Sequence, residues 1–296
     1  MIPPIVHEIE AHTALNAVEG MPFKWSLNPY KGCRHACSYC YARAYHAYLN
    51  LPPSSFETQL FVKMNLARVL RAELRRSTWR GEHVAIGTAT DPYQPLEAQY
   101  RITRQCLEEM AEVDNPGSVT TKASLVRRDI DVLTELVRHA GFTVNMSLIS
   151  LDTDLLHKLE PGAPTPTSRL ETISRLSAAG IPVSVFLAPV LPGITDQPDA
   201  LSEVVKAAAE HGASDVWTGA LRLPEGTREH FLGVVTEYFP HLEPRLEQLY
   251  AGRPTLPTSY QMRIEGQISD ARTEVGLGQR TLAPIESRRK QLVLPI

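Results

Sequence analysis

Three cysteines packed into eight residues, Cys33, Cys37 and Cys40, constrain this chain more than any other feature of it. They run C-x3-C-x2-C inside Asn28-Pro-Tyr-Lys-Gly-Cys-Arg-His-Ala-Cys-Ser-Tyr-Cys-Tyr, directly after a β-rich run at Lys24–Leu27. Four cysteines in 296 residues are too few for a disulfide scaffold, so a cluster of three reads as metal binding or catalysis in a reducing compartment. Thiolates this close in sequence can converge on one metal centre. An iron–sulfur cube held by three of them leaves one iron without a protein ligand, and an open position marks a metal site that acts on a bound molecule. Two other readings stay open. A structural zinc site would need His35 or His46 as fourth ligand, against the usual pattern of two separated C-x2-C pairs. An incidental cluster or a disulfide is the other. The fourth cysteine, Cys106, stands beside Leu107 and Met110 in a helical run and reads as a small core hydrophobe.

Around this loop the chain has the pattern of an α/β protein. Strands are expected at Lys24–Leu27, His83–Thr88, Ser118–Thr121, Thr143–Ile149, Val183–Ala188 and Asp215–Thr218, each rich in Val, Ile, Thr or Phe and flanked by Gly, Pro or Asp. Helices are expected at Val62–Arg76, Thr103–Glu112, Arg127–His139, Thr167–Ala179, Pro198–His211 and Gly226–Tyr238. In Arg127–His139, for example, Ile130, Leu133, Leu136 and Val137 share one face. Gly141, Gly180 and Gly212 punctuate helix ends. Six strands alternating with six helices predict a parallel sheet of βα units, an open partial (βα)6 barrel of TIM type with its chemistry at the C-terminal strand ends. Residues 1–22 read as an N-terminal extension, 23–240 as the core, and 241–296 as a C-terminal extension. From Ala251 onward no clear periodicity appears, and Pro254, Pro257 and Pro284 interrupt it.

The formal net charge of -3 advertises no nucleic-acid or membrane partner, although a local basic groove is compatible with it. The start, MIPPIVHEIE, lacks a basic region followed by an apolar core, and no run of about 18 apolar residues occurs. A cytoplasmic location without a membrane partner is therefore the expectation.

C-x3-C-x2-C with an aromatic, Tyr39, before the third cysteine resembles the signature of the radical S-adenosylmethionine superfamily. The wider string NPYKGCRHACSYCYAR, followed by FVKMNL, ATDPYQPLE, TKAS, NMSLIS, LEPGAPTP and APVLPGITD, resembles its spore photoproduct lyase-related, DNA repair photolyase-like branch. The likeness runs from Lys24 to Arg228. It implies a 4Fe-4S cluster on Cys33, Cys37 and Cys40, with S-adenosylmethionine chelating the free iron through its amine and carboxylate. An external reductant such as flavodoxin or ferredoxin is implied, and reductive cleavage to a 5′-deoxyadenosyl radical that takes hydrogen from a substrate.

The same resemblance assigns cofactor contacts. Tyr39 lies against the adenine, Thr90 and Asp91 bind near the amino group, and Lys122 meets the carboxylate. Ser147 bonds the ribose, while Ala188 and Pro189 line the adenine. Each has a plainer alternative: Asp91 a turn residue before Pro92, Lys122 a solvated charge, Ser147 a satisfied core hydroxyl. Arg43 either pairs with a carboxylate or shields the cluster, and Lys63 and Asn65 receive no role. Spore photoproduct lyase returns a hydrogen atom from a cysteine just before the Thr-Asp pair. Here that stretch reads Gly87-Thr88-Ala89-Thr90-Asp91, so either Tyr93 or Tyr41 serves or the substrate differs, the second being favoured. A nucleic-acid lesion lyase predicts a basic groove, which Arg71, Arg75, Arg76 and Arg80 on one helix would begin to supply. Modification of a small molecule, RNA or protein predicts a closed, neutral or acidic mouth. A non-catalytic metal protein predicts no cofactor turnover.

Overall fold

The computed structural model describes residues 3–278, and Pro284 lies outside them. In chain order the strands and α-helices are β1 (Ile5–Ile9), β2 (Asn16–Ala17), β3 (Trp25–Leu27), β4 (Tyr30–Lys31), β5 (Gln59–Lys63), α1 (Leu66–Leu74), β6 (Val84–Ile86), α2 (Glu97–Tyr100) and α3 (Ile102–Ala111). There follow β7 (Gly117–Thr121), α4 (Ile130–His139), β8 (Phe142–Ser147), α5 (Thr153–Leu159), α6 (Pro166–Ala178), β9 (Val183–Val190), α7 (Pro198–Glu210), β10 (Asp215–Ala220), α8 (Thr227–Tyr238), α9 (Glu243–Leu249) and α10 (Thr258–Glu274).

The main sheet runs β10-β9-β8-β7-β6-β3-β2, parallel throughout except for the short antiparallel pair β2–β3. Its six parallel strands are the six expected, and the sheet does not close on itself. Val119, Val144, Val183, Val185, Leu187 and Val216 point into a core shared with Leu70, Leu107, Leu133, Leu176 and Val205 of the surrounding helices, all fully buried. Branched residues fit the pleat, while the helices contribute apolar positions three or four apart. The local signals agree with this packing. Asp152 accepts the Leu155 N–H at 2.9 Å to cap α5, and Thr165 caps α6 ahead of Pro166 at its first turn.

Three segments differ from the reading of the sequence. Val62 and Lys63, expected to begin a helix, end β5 instead. Gln59–Lys63 alternates half-buried and buried side chains with period two, and β5 is paired on both sides, parallel to β1 and antiparallel to β4. The helix begins only at Leu66. Because α1 stops at Leu74, Arg76 and Arg80 lie beyond it, while Arg71 and the C-cap residue Arg75 are both drawn to Glu109. Thr258–Glu274, read as irregular, forms α10, which lays Ile264, Ile268 and Ala271 onto the main core. Only three of its seventeen residues are buried, so its apolar stripe is too thin to stand out in the sequence. No described helix is long and apolar enough to cross a membrane.

Candidate functional site

The cysteine loop leaves the C-terminal end of β3 and crosses the mouth of the open sheet. Its first residues are pinned from outside by the small sheet: the Cys33 N–H donates to the Phe56 carbonyl at 3.0 Å, and Gly32 sits where a Cβ would stand 2.7 Å from the carbonyl oxygens of Phe56 and Gln59. Gly32 has φ +77°, so both its backbone and its surroundings demand glycine. From inside, the segment after β6 clasps the same turn. Thr90 Oγ1 donates to the Gly32 carbonyl at 2.7 Å, and Gln94 Nε2 donates to it at 3.0 Å. Gln94 Oε1 in turn accepts the Arg34 N–H at 3.1 Å. Further along, the Ser38 N–H donates to the Leu159 carbonyl at 2.8 Å, and the Gly162 N–H to the His35 carbonyl at 3.1 Å.

Cys33, Cys37 and Cys40 are free thiols, the first two buried and the third partly so. Burial pushes all three thiols up, Cys37 to about 12. A thiolate survives in such a setting only when a metal cation replaces its proton, so the donor set fits a metal centre bound through sulfur. Among the described residues no three Cys, His, Asp or Glu side chains gather closely enough to hold a single metal ion. A cluster that gives each thiolate its own iron requires wider spacing than one ion does. One ring nitrogen of each candidate zinc histidine faces another side chain, His35 Nδ1 at 3.1 Å from Asp91 Oδ2 and His46 Nδ1 at 3.1 Å from Ser55 Oγ. The buried His46 Nε2 has no hydrogen-bond partner among the described residues.

Behind the loop lies a buried ionic group. Tyr39, between the second and third cysteines, donates its phenol to Glu160, whose other oxygen takes Arg169. Arg169 also donates to the carbonyls of Ser147 at 3.1 Å and Pro164 at 2.9 Å. Lys122 Nζ stands 3.8 Å from Glu160 and 5.8 Å from the Tyr39 ring centre. Burial alone would raise the Glu160 carboxyl, but Arg169 and then Lys122 outweigh it and hold it below its ordinary range. Burial would likewise lower Lys122, yet the negative charges of Cys37 and Glu160 leave it raised. A second carboxylate, Asp91, accepts from Thr121 Oγ1 and the Lys122 N–H, each at 2.7 Å, and from the Tyr93 N–H at 2.9 Å. Burial opposes its ionisation, but His35 with the Thr121 and Lys122 donors brings it down to about 2.

The expected cofactor residues therefore gather on one rim. Thr90 and Asp91 follow β6, Lys122 follows β7, Ser147 ends β8, and Ala188 and Pro189 lie near the end of β9. The polar atoms of Thr90 and Asp91 are taken up in holding the loop and β7. The Lys122 ammonium keeps only a 3.8 Å contact with Glu160, beside the Tyr39 ring. Arg43 is fully buried, donating Nε to the Cys37 carbonyl at 3.0 Å and Nη1 to Glu57 at 2.7 Å. Tyr93 is buried with its hydroxyl on Asp129 at 3.0 Å, whereas Tyr41 is exposed and donates to the Thr88 carbonyl. Cys106 is fully buried in the main core on α3.

Sequence reasoning missed Glu160, Gly162, Arg169 and Gln94. Glu160 and Gly162 stood in the LEPGAPTP string and Gln94 in ATDPYQPLE, but neither string says what its polar residue touches. Arg169 read as an ordinary helix position.

The family model of the radical SAM superfamily matches residues 27–204. An uncharacterised protein of Mycobacterium tuberculosis is 39% identical over 267 residues, 89% of this chain and 78% of that protein. A protein of Pseudomonas phage M6 named radical SAM Nalpha-GlyT isomerase is 28% identical over 173 residues, 58% of this chain and 34% of that one. Among solved structures, spore photoproduct lyase complexed with dinucleoside spore photoproduct superposes with a TM-score of 0.69 at 15% identity, covering 91% of this chain and 79% of that one, a likeness of fold. With its three thiols on one loop at the rim of an open parallel sheet, the chain belongs to the radical SAM superfamily, whose members use a 4Fe-4S cluster and S-adenosylmethionine.

Proposed function

We propose that Cys33, Cys37 and Cys40 hold the 4Fe-4S cluster and that the rim from Thr90 to Pro189 receives S-adenosylmethionine. The observation that carries this reading is the set of three free thiols on one loop facing Lys122, the one loosely held cation of the rim. When bound, the reduced cluster and S-adenosylmethionine together supply a 5′-deoxyadenosyl radical for hydrogen abstraction. The chain's own residues bind, orient and enclose. Lys122 exchanges its distant contact with Glu160 for the ligand carboxylate, leaving Glu160 neutralised by Arg169 and Tyr39. Tyr39, fixed through its hydroxyl, presents a rigid ring beside the adenine. Asp91 and Thr90 keep the loop and β7 in register. The buried walls exclude water and stray hydrogen donors, which a primary carbon radical requires. Flavodoxin or ferredoxin serves as reductant.

A second reading, a nucleic-acid substrate, draws support from the surface beside the loop. Tyr41, Tyr45 and Tyr48 form an exposed row with ring centres 6.1 and 6.2 Å apart, and a nearby cavity of about 490 Å³ is lined by Arg222, Arg228 and Arg253 together with Glu225 and Glu229. Bases stack on such rings, and guanidinium groups meet phosphates. The relatives named above for an isomerase and a photoproduct lyase are compatible with it.

Anaerobic reconstitution tests both. Wild type and Cys106→Ala should bind iron and sulfide and release 5′-deoxyadenosine with dithionite, while Ala at Cys33, Cys37 or Cys40 abolishes both. Deuterium passing from a labelled dinucleotide photoproduct into 5′-deoxyadenosine supports the second reading. Zinc in place of iron in anaerobically purified protein would refute the first.

A further inference from the structure

The string FVKMNL acquires a role once the outer face of the small sheet is considered. On β5, Gln59, Phe61 and Lys63 point to one side while Leu60 and Val62 are buried on the other. The parallel register sets His7 beside Phe61 and Ile9 beside Lys63. The antiparallel register sets Lys31 opposite Phe61. His7 stacks on Phe61 with ring centres 4.7 Å apart, which places both rings on the outward side. Lys31 and Lys63 are thus diagonal neighbours on an outward face, on either side of an aromatic pair.

This face is the outside wall of the cysteine loop. Phe61 touches His46 edge-on at 6.3 Å, His46 packs on Phe56 at 5.1 Å, and Phe56 packs on Cys33. A Cβ on Gly32 would stand 2.7 Å from the Gln59 carbonyl oxygen at the start of β5. A molecule seated here is separated from Cys33 by three side chains, Phe61, His46 and Phe56, on the side away from the rim.

The charge on the face is uncompensated. Burial first, and repulsion from Lys31 second, lower the Lys63 ammonium to about 8, with no carboxylate among the causes. The neighbouring acids are turned away or occupied: Glu8 points to the opposite side and accepts the Tyr100 hydroxyl at 3.1 Å, and Glu57 is bound by Arg43 at 2.7 Å. Ile5 and Met64 add exposed apolar surface at its two ends.

Building on the cluster reading above, we propose that this face, centred on Lys31, Lys63, His7 and Phe61, docks an acidic one-electron donor protein that reduces the cluster. The balance is simple: one electron leaves the donor's flavin or iron–sulfur centre and enters the oxidised cluster, with no bond made or broken. Half-buried Lys31 and largely buried Lys63, neither paired with a carboxylate among the described residues, make the face electropositive towards a negatively charged partner, and the rings beside them lie on the path towards Cys33. Rim charges of this kind act chiefly on the association rate and its salt dependence.

The test compares reductants on the iron-loaded full chain by anaerobic stopped-flow absorbance. The donors are dithionite and a reduced plant-type ferredoxin. The variants are K31Q/K63Q and, as a milder second, K63Q. Ferredoxin should reduce wild type progressively more slowly as salt rises. The double variant should react about tenfold more slowly than wild type at low salt and lose most of that salt dependence. Dithionite rates should stay at the wild-type value, which also establishes that the variants are folded and loaded. An iron-loaded double variant reduced by ferredoxin at the wild-type rate overturns the docking assignment alone. If the variants lose polynucleotide binding while ferredoxin rates hold, the face belongs to nucleic acid and the assignment is wrong. A wild-type chain that takes up no reducible iron overturns the cluster reading and the docking face with it.

Discussion

Gly162 offers the sharpest mechanical test of how the cysteine loop is held. Its amide donates to the His35 carbonyl, and a Cβ added to it would stand 2.0 Å from the Arg34 carbonyl oxygen and 3.2 Å from the His35 Cα. Ordinary contact begins near 3.4 Å, so Gly162→Ala forces the two backbones apart by about 1.4 Å. Neither side has slack. Residues 34–35 are tied to Gln94, and Glu160, two residues before Gly162, is locked between Tyr39 and Arg169. Overpacking of this kind costs about 1–3 kcal/mol. The functional loss should be larger than the stability loss, because metal ligands tolerate displacements of only about 0.2 Å. Calorimetry or circular dichroism on the iron-free variant should give a melting temperature lower by several degrees. Anaerobic reconstitution should give much less iron per chain. Gly233→Ala is the control: it sits exposed within α8 with nothing within 4 Å of an added Cβ, and should stabilise the chain by about 0.5–1 kcal/mol with iron uptake unchanged. Full iron uptake by Gly162→Ala at an unchanged melting temperature would show that this close approach does not shape the loop.

Two further outcomes follow from the ionic groups. Glu160→Ala leaves Arg169 charged and unpaired in a dry interior and should cost about 3–5 kcal/mol, whereas Glu160→Gln, able to keep the Tyr39 contact, should cost less; equal losses by chemical denaturation would count against a charge-centred role. Glu109 is held below its ordinary 4.5, first by its bond to Arg71, so its stabilising effect is present above that pH and disappears as pH falls through the lower folded value. Glu109→Gln should therefore lose stability at pH 7 but converge with wild type at the acid end, and a constant offset at every pH would contradict the linkage.

How much of this was legible in the sequence differs by scale, and the reason is physical. The six parallel strands and most helices carry their signal locally, because period-two or helical burial is written into successive residues and Gly141, Gly180 and Gly212 mark the stops. The cysteine loop was legible for a related reason: thiols this close in sequence announce a candidate metal site by residue type alone. Segments whose state depends on distant partners were not. β5 became a strand because β1, more than fifty residues earlier, lies alongside it, and its Val-Lys end read equally well as the start of α1. α10 buries too narrow a stripe to declare itself.

The same division runs through the site, and it explains why the resemblance reached the rim but not its support. The expected cofactor residues Lys122 and Ser147 follow or end strands and inherit their places from the sheet. The groups that position them are defined by pairing across the fold. Glu160 matters because Tyr39, Lys122 and Arg169, contributed by the loop, the end of β7 and α6, converge on it, and no window of sequence contains more than two of the four. A carboxylate so placed holds Tyr39 and Arg169 firmly and Lys122 loosely. That inequality makes Lys122 the member of the group held by the longest contact, while Tyr39 and Arg169 are fixed by hydrogen bonds.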